Sequence, residues 1–218
     1  MRIQENYVNF TSLNRPIKPS NIKVDREVLS FGEIDYNKPP TNELLEDIAT
    51  FFLDNFANQS SHPFWKSCRK GTKTFDKKVY NNYINDLIAN YNKILNNPDT
   101  TVMLGRNSNR EICAGIVTTP LDILKEANTD RILYLDSLAV DKQYRKNHIA
   151  QRLTNDVEES SKGRFDEVFL VAYNESVPFY KKQGFVQTED NEITEHFAKE
   201  RKDYPEFASF LSKNLINN

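Results

Sequence analysis

The stretch Ile132-Leu133-Tyr134-Leu135-Asp136-Ser137-Leu138-Ala139-Val140, followed by Tyr144-Arg145-Lys146-Asn147-His148-Ile149-Ala150, decides the fold. The first segment is apolar almost throughout, the pattern of a strand buried on both faces. The second opens a helix that turns Ile149, Leu153 and Val157 inward. Residues 142–152 carry four basic side chains and no acid. A strand, a short basic turn and a helix N-terminus make an anion site. First-turn N–H groups lack intrahelical acceptors, and the helix dipole adds partial positive charge. With the full charges of Arg145 and Lys146, a pyrophosphate is a reasonable ligand; a solvated basic helix start is the alternative reading of the same residues. Asp136 does not fit a buried strand. A carboxylate there is costly to bury unpaired, so it lines a cleft or meets a cation.

Outward from this centre, residues 168–173 read as a second buried strand. Residues 176–183 read as a short helix with Pro178 in its first turn and Gly184 as its stop. Upstream, 101–104 and 112–119 are strands joined by Gly105-Arg106-Asn107-Ser108-Asn109, a hairpin turn by composition. Thr41 is a predicted N-cap for an amphipathic helix carrying Leu44, Leu45, Ile48, Phe51, Phe52 and Phe56. A second helix over 76–95 turns Tyr80, Tyr83, Leu87, Ile88, Tyr91 and Leu95 to one side, and Asn96-Asn97-Pro98 ends it. Strands alternating with helices imply an α/β sheet. Residues 1–40, punctuated by Pro16, Pro19, Pro39 and Pro40, read as a loose extension with one possible strand over 28–34. The tail over 194–215 reads as helical, with a break at Pro205. The expected organisation is therefore an N-terminal extension (1–40), one domain (41–190) and a tail packed on it (191–218).

Composition bounds the function. The chain has 218 residues with 38% hydrophobic and 28% charged, and 14 Phe and 10 Tyr suffice for a core. Lys and Arg total 29 against 31 Asp and Glu, a formal charge of -2, so no general affinity for nucleic acid is expected. No apolar run reaches membrane length, and the N-terminus lacks a secretory signal. Cys68 and Cys113 have no metal-ligand spacing and read as reduced thiols of a cytoplasmic protein. With only 3 His, a histidine-built metal site is not expected. The chain holds just 6 Gly, and none lies between 116 and 162.

Tyr134 to Val140 with Tyr144 to Ala150 resembles the acetyl-CoA signature of the GCN5-related N-acetyltransferases (GNAT). There, a strand ending in a Leu-Ala-Val-like triplet leads to an Arg-x-x-Gly-x-Gly/Ala loop that opens a helix. Ser176-Val177-Pro178-Phe179-Tyr180-Lys181-Lys182-Gln183-Gly184-Phe185 resembles the second signature, a Phe-Tyr-x-x-x-Gly-Phe helix end. The resemblance implies a GNAT-like mixed, mostly antiparallel sheet flanked by helices. It also implies an N-acetyltransferase with acetyl-CoA as co-substrate, an amine as acceptor and no metal.

By that resemblance, the backbone of Leu138, Ala139 and Val140 bonds the pantetheine arm and offers an N–H to the acetyl oxygen. Arg145, Lys146, Asn147, His148, Ile149 and Ala150 wrap the pyrophosphate, and Asn174 faces the pantetheine. Tyr180 stands near the sulfur as general acid, and Asp136 receives the amine's proton. His148 occupies a position where the family loop carries Gly. Asn147, tolerant of positive φ, is expected to supply the left-handed turn and leave His148 to open the helix. The segment after Phe185 does not read as the family's usual final strand pair.

On the acceptor side, Tyr134 and Trp65 are the expected contacts. His62-Pro63-Phe64-Trp65, followed by Lys66, Arg69, Lys70, Lys73, Lys77 and Lys78, would make an aromatic lid with a basic rim, suited to an acceptor bearing an acidic group; a Trp in the core beside a solvated basic loop is the alternative reading. A small amine is the favoured acceptor. A protein lysine or N-terminus, and a GNAT-like binding module without turnover, are the alternatives. The oligomeric state, monomer or homodimer, is left open.

Overall fold

The computed structural model describes residues 21–24, 27–33, 39–97, 99–121, 131–188, 193–195 and 206–216. Residues 1–20, most of the expected extension, lie outside them, as do 196–205 with Pro205 and part of the expected tail helix. The first elements are two short strands, β1 (Asn21–Val24) and β2 (Glu27–Glu33), paired antiparallel. β2 is the anticipated strand; β1 falls where the sequence suggested loose chain. Leu29 and Phe31 of β2 are buried, and Phe31 lies across from Gly105, where a Cβ would stand 2.5 Å from its ring. Pairing with the sheet thus orders residues whose local composition is uninformative.

Thr41 starts α1 (Asn42–Gln59), its Oγ1 accepting the Leu44 N–H at 3.2 Å. A short helix, α2 (Pro63–Ser67), follows, then α3 (Lys77–Leu95), whose N-cap Asp76 accepts from the N–H groups of Lys78 and Val79. The sheet continues with β3 (Thr101–Arg106), β4 (Ile112–Pro120) and β5 (Ile132–Val140). A 3-10 turn over Lys142–Tyr144 leads into α4 (Ile149–Ser161), and then come β6 (Glu167–Tyr173) and α5 (Val177–Lys182). Gly184, at φ 88, ends the α5 turn. Last are β7 (Val186–Gln187) and β8 (Ala208–Asn214).

The strands form one eight-stranded sheet in the order β1-β2-β3-β4-β5-β6-β8-β7, parallel between β5 and β6 and antiparallel elsewhere. The helical reading of the tail is corrected over 208–214. That segment is a strand inserted between β6 and β7, and β7–β8 is the final strand pair that the sequence did not suggest. Ala, Ser, Lys and Asn in β8 are poor strand formers by themselves. A ladder to β6 along the whole of β8, with β7 pairing at Leu211 and Ser212, binds their backbone groups and overrides that preference.

Two cores sandwich the sheet. On one face Leu45, Ile48, Ala49 and Phe52 of α1 pack with Tyr91 and Leu95 of α3. On the other, Ile149, Leu153 and Val157 of α4 pack with Leu133, Leu135, Val168 and Leu170. Each fully buried Val, Leu, Ile or Phe among them contributes roughly 1.5–3 kcal/mol. Between α4 and β8 a buried ion pair, Lys213 Nζ to Glu158 at 2.6 Å, bridges the two elements. The Cε of Lys213 would lie 3.5 Å from a Cβ on Gly184, so its stem also packs on the turn that ends α5.

Candidate active site

The parallel ladder between β5 and β6 begins at Ile132↔Glu167 and ends at Leu135↔Leu170. Just there the β4–β5 register shifts: Leu135 faces Thr118 and Ser137 faces Val117, leaving Asp136 as an extra residue. Such a bulge bends and twists its strand. It also changes which face each residue serves. Leu133 and Leu135 belong to the α4-side core, whereas Ala139 packs with α1 and α3. Beyond the bulge, β5 and β6 part around a cleft of about 700 Å³. Asp136, Ser137 and Leu138 line one wall, and Val171, Ala172 and Tyr173 the other. The expectation of a strand buried on both faces is corrected here, because Asp136 and Leu138 are only half-buried.

Asp136 is held by its neighbour. Ser137 donates its hydroxyl to Asp136 Oδ2 at 2.8 Å and lies 3.0 Å from the Tyr91 hydroxyl. Since Ser137 spends its one proton on Asp136, Tyr91 donates to Ser137. Burial, and then the Asp136 charge, push the Tyr91 phenol far above its ordinary range, so it remains a donor. The relay favours the ionised form of Asp136.

Tyr180 also lines the cleft, on α5, stacked edge-on against Phe179 and Phe185. Its hydroxyl has no hydrogen-bond partner among the described residues, and burial pushes the phenol upward. Full proton transfer to a thiolate of pKa about 8.5 is therefore uphill. The group is suited to donating a hydrogen bond to such a thiolate and keeping its proton.

The basic loop takes an unexpected form. Positive φ occurs at Lys146 (68°) and His148 (58°), the latter being the N-cap of α4. The expectation that Asn147 would supply the left-handed residue is corrected. Asn147 instead uses its side-chain amide to bond the carbonyls of Tyr144 and Arg145, which fixes the loop from within. His148 makes no side-chain cap, and its Nδ1 lies 3.1 Å from Gln151 Oε1. Left-handed backbone at these positions turns N–H groups to one side, the geometry that cradles an anion. Lys146, Asn147 and His148 are exposed, whereas Ile149 is buried under the helix. Arg145 turns back, donating to Val140 O at 2.9 Å and to Asn55 Oδ1 at 3.3 Å on α1. It braces the strand end against α1 and lines the cleft.

Asp136, Leu138, Arg145, Tyr134, Trp65 and Tyr180 are thus brought together around one cleft. Asn174 is not. It sits in an exposed turn, with its side chain donating to Glu206 O and its N–H to Phe207 O. The basic rim is also corrected, because none of Lys66, Arg69, Lys70, Lys73, Lys77 and Lys78 lines the cleft. Arg69 binds the carbonyls of Ala57 and Ser60 behind the C-terminus of α1, and Lys70 pairs with Asp54. Trp65 serves core and cleft together, 2% exposed amid Phe56, Phe64 and Tyr83.

Sequence reasoning missed Ser137, Asp86 and Glu175, all cleft-lining. A signal for Asp86 existed: Tyr83, Asp86, Leu87 and Asn90 follow helical spacing, a mixed polar stripe beside the apolar one. Glu175 and Ser137 carried none, since each acts through a partner distant in sequence or through the bulge.

The family profile described as an acetyltransferase (GNAT) domain matches residues 66–198. That is more than half of the chain, and the chain belongs to the GNAT acetyltransferase family. Comparison with curated proteins gives no match. Among solved structures, a GNAT-family acetyltransferase from Staphylococcus aureus is similar at 20% identity and TM-score 0.53, covering 85% of this chain and 99% of its own. The PaiA N-acetyltransferase of Thermoplasma acidophilum, solved with coenzyme A, has 15% identity and TM-score 0.54, with 85% and 99% covered. An aminoglycoside 6'-acetyltransferase type Ii has 17% identity and TM-score 0.53, with 86% and 98% covered. At these identities the likeness is one of fold. No helix among the described residues is long and apolar enough to cross a membrane.

Proposed function

We propose that the protein is an acetyl-CoA-dependent N-acetyltransferase that passes an acetyl group directly to the primary amine of a small molecule. The observation that carries this reading is the opening of the β5–β6 ladder at the Asp136 bulge. It puts a hydrogen-bonded carboxylate and Tyr180 on one cleft, which Arg145, the residue before the left-handed turn into α4, also lines. In this reading the loop from Lys146 to Ala150 holds the pyrophosphate with backbone N–H groups. The free edge of β5 at Leu138, Ala139 and Val140 offers hydrogen bonds to the pantetheine and to the acetyl oxygen.

An amine attacks only after losing a proton, and a lysine-like amine begins near pKa 10.4. Asp136, hydrogen-bonded by Ser137, receives that proton directly or through water; general bases contribute about 10²–10⁴-fold. Tyr180 stabilises the departing thiolate by hydrogen bonding. The proton lost by the amine ends on the thiol, so the transfer balances as amine plus acetyl-CoA giving amide plus CoA. The buried thiols of Cys68 and Cys113, not joined in a disulfide, suit the reducing cytoplasm we assign it. The test is CoA thiol release against a panel of small amines, peptides and N-terminal mimics, alongside calorimetry with acetyl-CoA. Turnover confined to small amines is expected. Turnover confined to peptides makes it a protein acetyltransferase, and acetyl-CoA binding with no turnover makes it a binding module.

A further inference from the structure

We infer that Tyr91, on the buried face of α3, is a positioning residue for the transfer: acting through the Ser137 hydroxyl, it fixes the Asp136 carboxylate in the cleft. The inference rests on the acetyltransferase reading of the same site and adds a residue that does not itself line the cleft.

Tyr91 is 1% exposed and packs in one core with Leu45, Ile48, Phe52, Leu95 and Val117. The other buried side chains of that core are hydrocarbons throughout. A phenylalanine would fill the same volume and bring no polar atom. A hydroxyl in such surroundings is costly unless it is hydrogen-bonded. Its partner is Ser137 Oγ at 3.0 Å, and Ser137 in turn donates to Asp136 Oδ2 at 2.8 Å. The ring of Tyr91 therefore serves the core, and its hydroxyl serves the wall of the cleft.

The direction of the relay follows from counting protons. Ser137 has one, given to Asp136, so its oxygen can only accept from Tyr91. Without that donation the Ser137 hydroxyl regains its rotation, and Asp136 loses a fixed donor. A carboxylate held at Oδ2 no longer turns about its Cβ–Cγ bond, which gives Oδ1 a set direction. A proton acceptor needs that order in its supporting shell. Tyr83, Asp86, Leu87 and Asn90 of α3 line the cleft as well, so the helix that meets the acceptor also sets the angle of the base. The other titratable side chains on the cleft are Tyr83 and Asp86, Tyr134 on β5, Tyr173 and Glu175 at and after the end of β6, Arg145, and Tyr180 on α5. Among the described residues the Ser137 hydroxyl meets Tyr91 and Asp136 and none of these. A change at Tyr91 that travels through Ser137 is thus separable from the rest of the cleft.

The experiment reads Asp136 in two ways: in the acidic limb of the kcat/KM–pH profile, and in a carbon-13 NMR titration of its carboxyl without substrate, assigned with Asp136→Asn. Tyr91→Phe keeps the ring and should raise both midpoints by about 0.4–1 pH unit, a loss of about two- to tenfold on the limb. Acetyl-CoA affinity should stay unchanged. Placing 3,5-difluorotyrosine at position 91 alone keeps the hydroxyl and makes it a stronger donor, so both midpoints should fall. That second variant carries the test if Tyr91→Phe does not fold. In a Ser137→Ala background Tyr91→Phe should add no further shift, because the path is already cut. Unmoved midpoints in folded variants make Tyr91 a packing residue and overturn the inference. A full additional shift in the Ser137→Ala background overturns it too. An NMR midpoint that moves while no amine is acetylated keeps the relay and overturns the transferase reading instead.

Discussion

The Ser137 hydroxyl donates to the Asp136 carboxylate at 2.8 Å, between adjacent residues that ordinarily face opposite sides of a strand. The bulge at Asp136 makes the contact possible by bringing both side chains to the same cleft. Removing the donor with Ser137→Ala should raise the Asp136 pKa, because the lost hydrogen bond favoured the ionised form. The acidic limb of the kcat/KM–pH profile should move to higher pH. An unmoved limb in a folded variant would remove Ser137 from the site chemistry. Stability should also fall by about 1–3 kcal/mol, since Tyr91 is left with an unmet buried hydroxyl.

Asp136→Asn should lower kcat/KM by about 10²–10⁴-fold at neutral pH, and by less at high pH where neutral amine is plentiful. A pH profile parallel to that of the unaltered protein, at any overall rate, would exclude Asp136 as the base.

Tyr180→Phe keeps the ring that packs on Phe179 and Phe185 and removes only the hydroxyl. Acetyl-CoA affinity by calorimetry should stay near its original value while turnover falls on the order of tenfold. Because burial raises the Tyr180 phenol, its ionisation contributes no limb to the rate profile below pH 10. A limb below that pH that disappears in Tyr180→Phe would contradict this account.

His148 adopts φ 58°, a conformation that costs an ordinary side chain about 1–2 kcal/mol. His148→Gly should therefore raise Tm by roughly 2–4 °C, the shift expected per kcal/mol in a chain of this size. His148→Val should lower it. Acetyl-CoA binding by His148→Gly should persist, because the loop already holds the backbone that Gly would take. Lost binding in the folded Gly variant would show that the imidazole itself holds the ligand.

The ion pair of Glu158 and Lys213 is nearly dry, with side chains 11% and 16% exposed. Breaking it from one side, with Glu158→Leu or Lys213→Met, should cost about 3–5 kcal/mol in urea melts. The double variant should recover most of that loss. Additive losses would mean the two residues act separately.

The strand–loop–helix from Ile132 to Ser161, and α5 with its Gly184 stop, were legible because local pattern and tertiary role agree there. So were the starts of α1 and α3, where Thr41 and Asp76 cap as their side chains dictate. The final strand pair was not, because β8 owes its conformation to β6 and β7 and not to its own residues. Asp136 could be picked out as an exception to its surroundings, and Tyr180 only through the resemblance of residues 176–185 to the family's second signature. The charge of the cleft could not, because Arg69 and Lys70 are diverted to α1 while Asp86 arrives from the middle of a helix. Conformation at His148 was misjudged since propensity favours Asn for positive φ, and Asn147 was needed as a side-chain donor.

The insertion of β8 between β6 and β7 imposes an order of assembly on a chain emerging from the ribosome. Residues 208–214 leave the exit tunnel after every other described strand, and among the described residues β7 has no neighbour in the sheet but β8. Until they arrive, β6 presents an open edge beside the half-built cleft, the kind of surface that recruits foreign strands. The parallel β5–β6 pair, itself dependent on a long crossover through α4, must wait in that state. Arrival of β8 then covers the edge of β6, supplies Lys213 to Glu158 and gives β7 its partner in one event. Synthesis paused short of residue 208 would leave a nascent chain with its most adhesive edge unprotected.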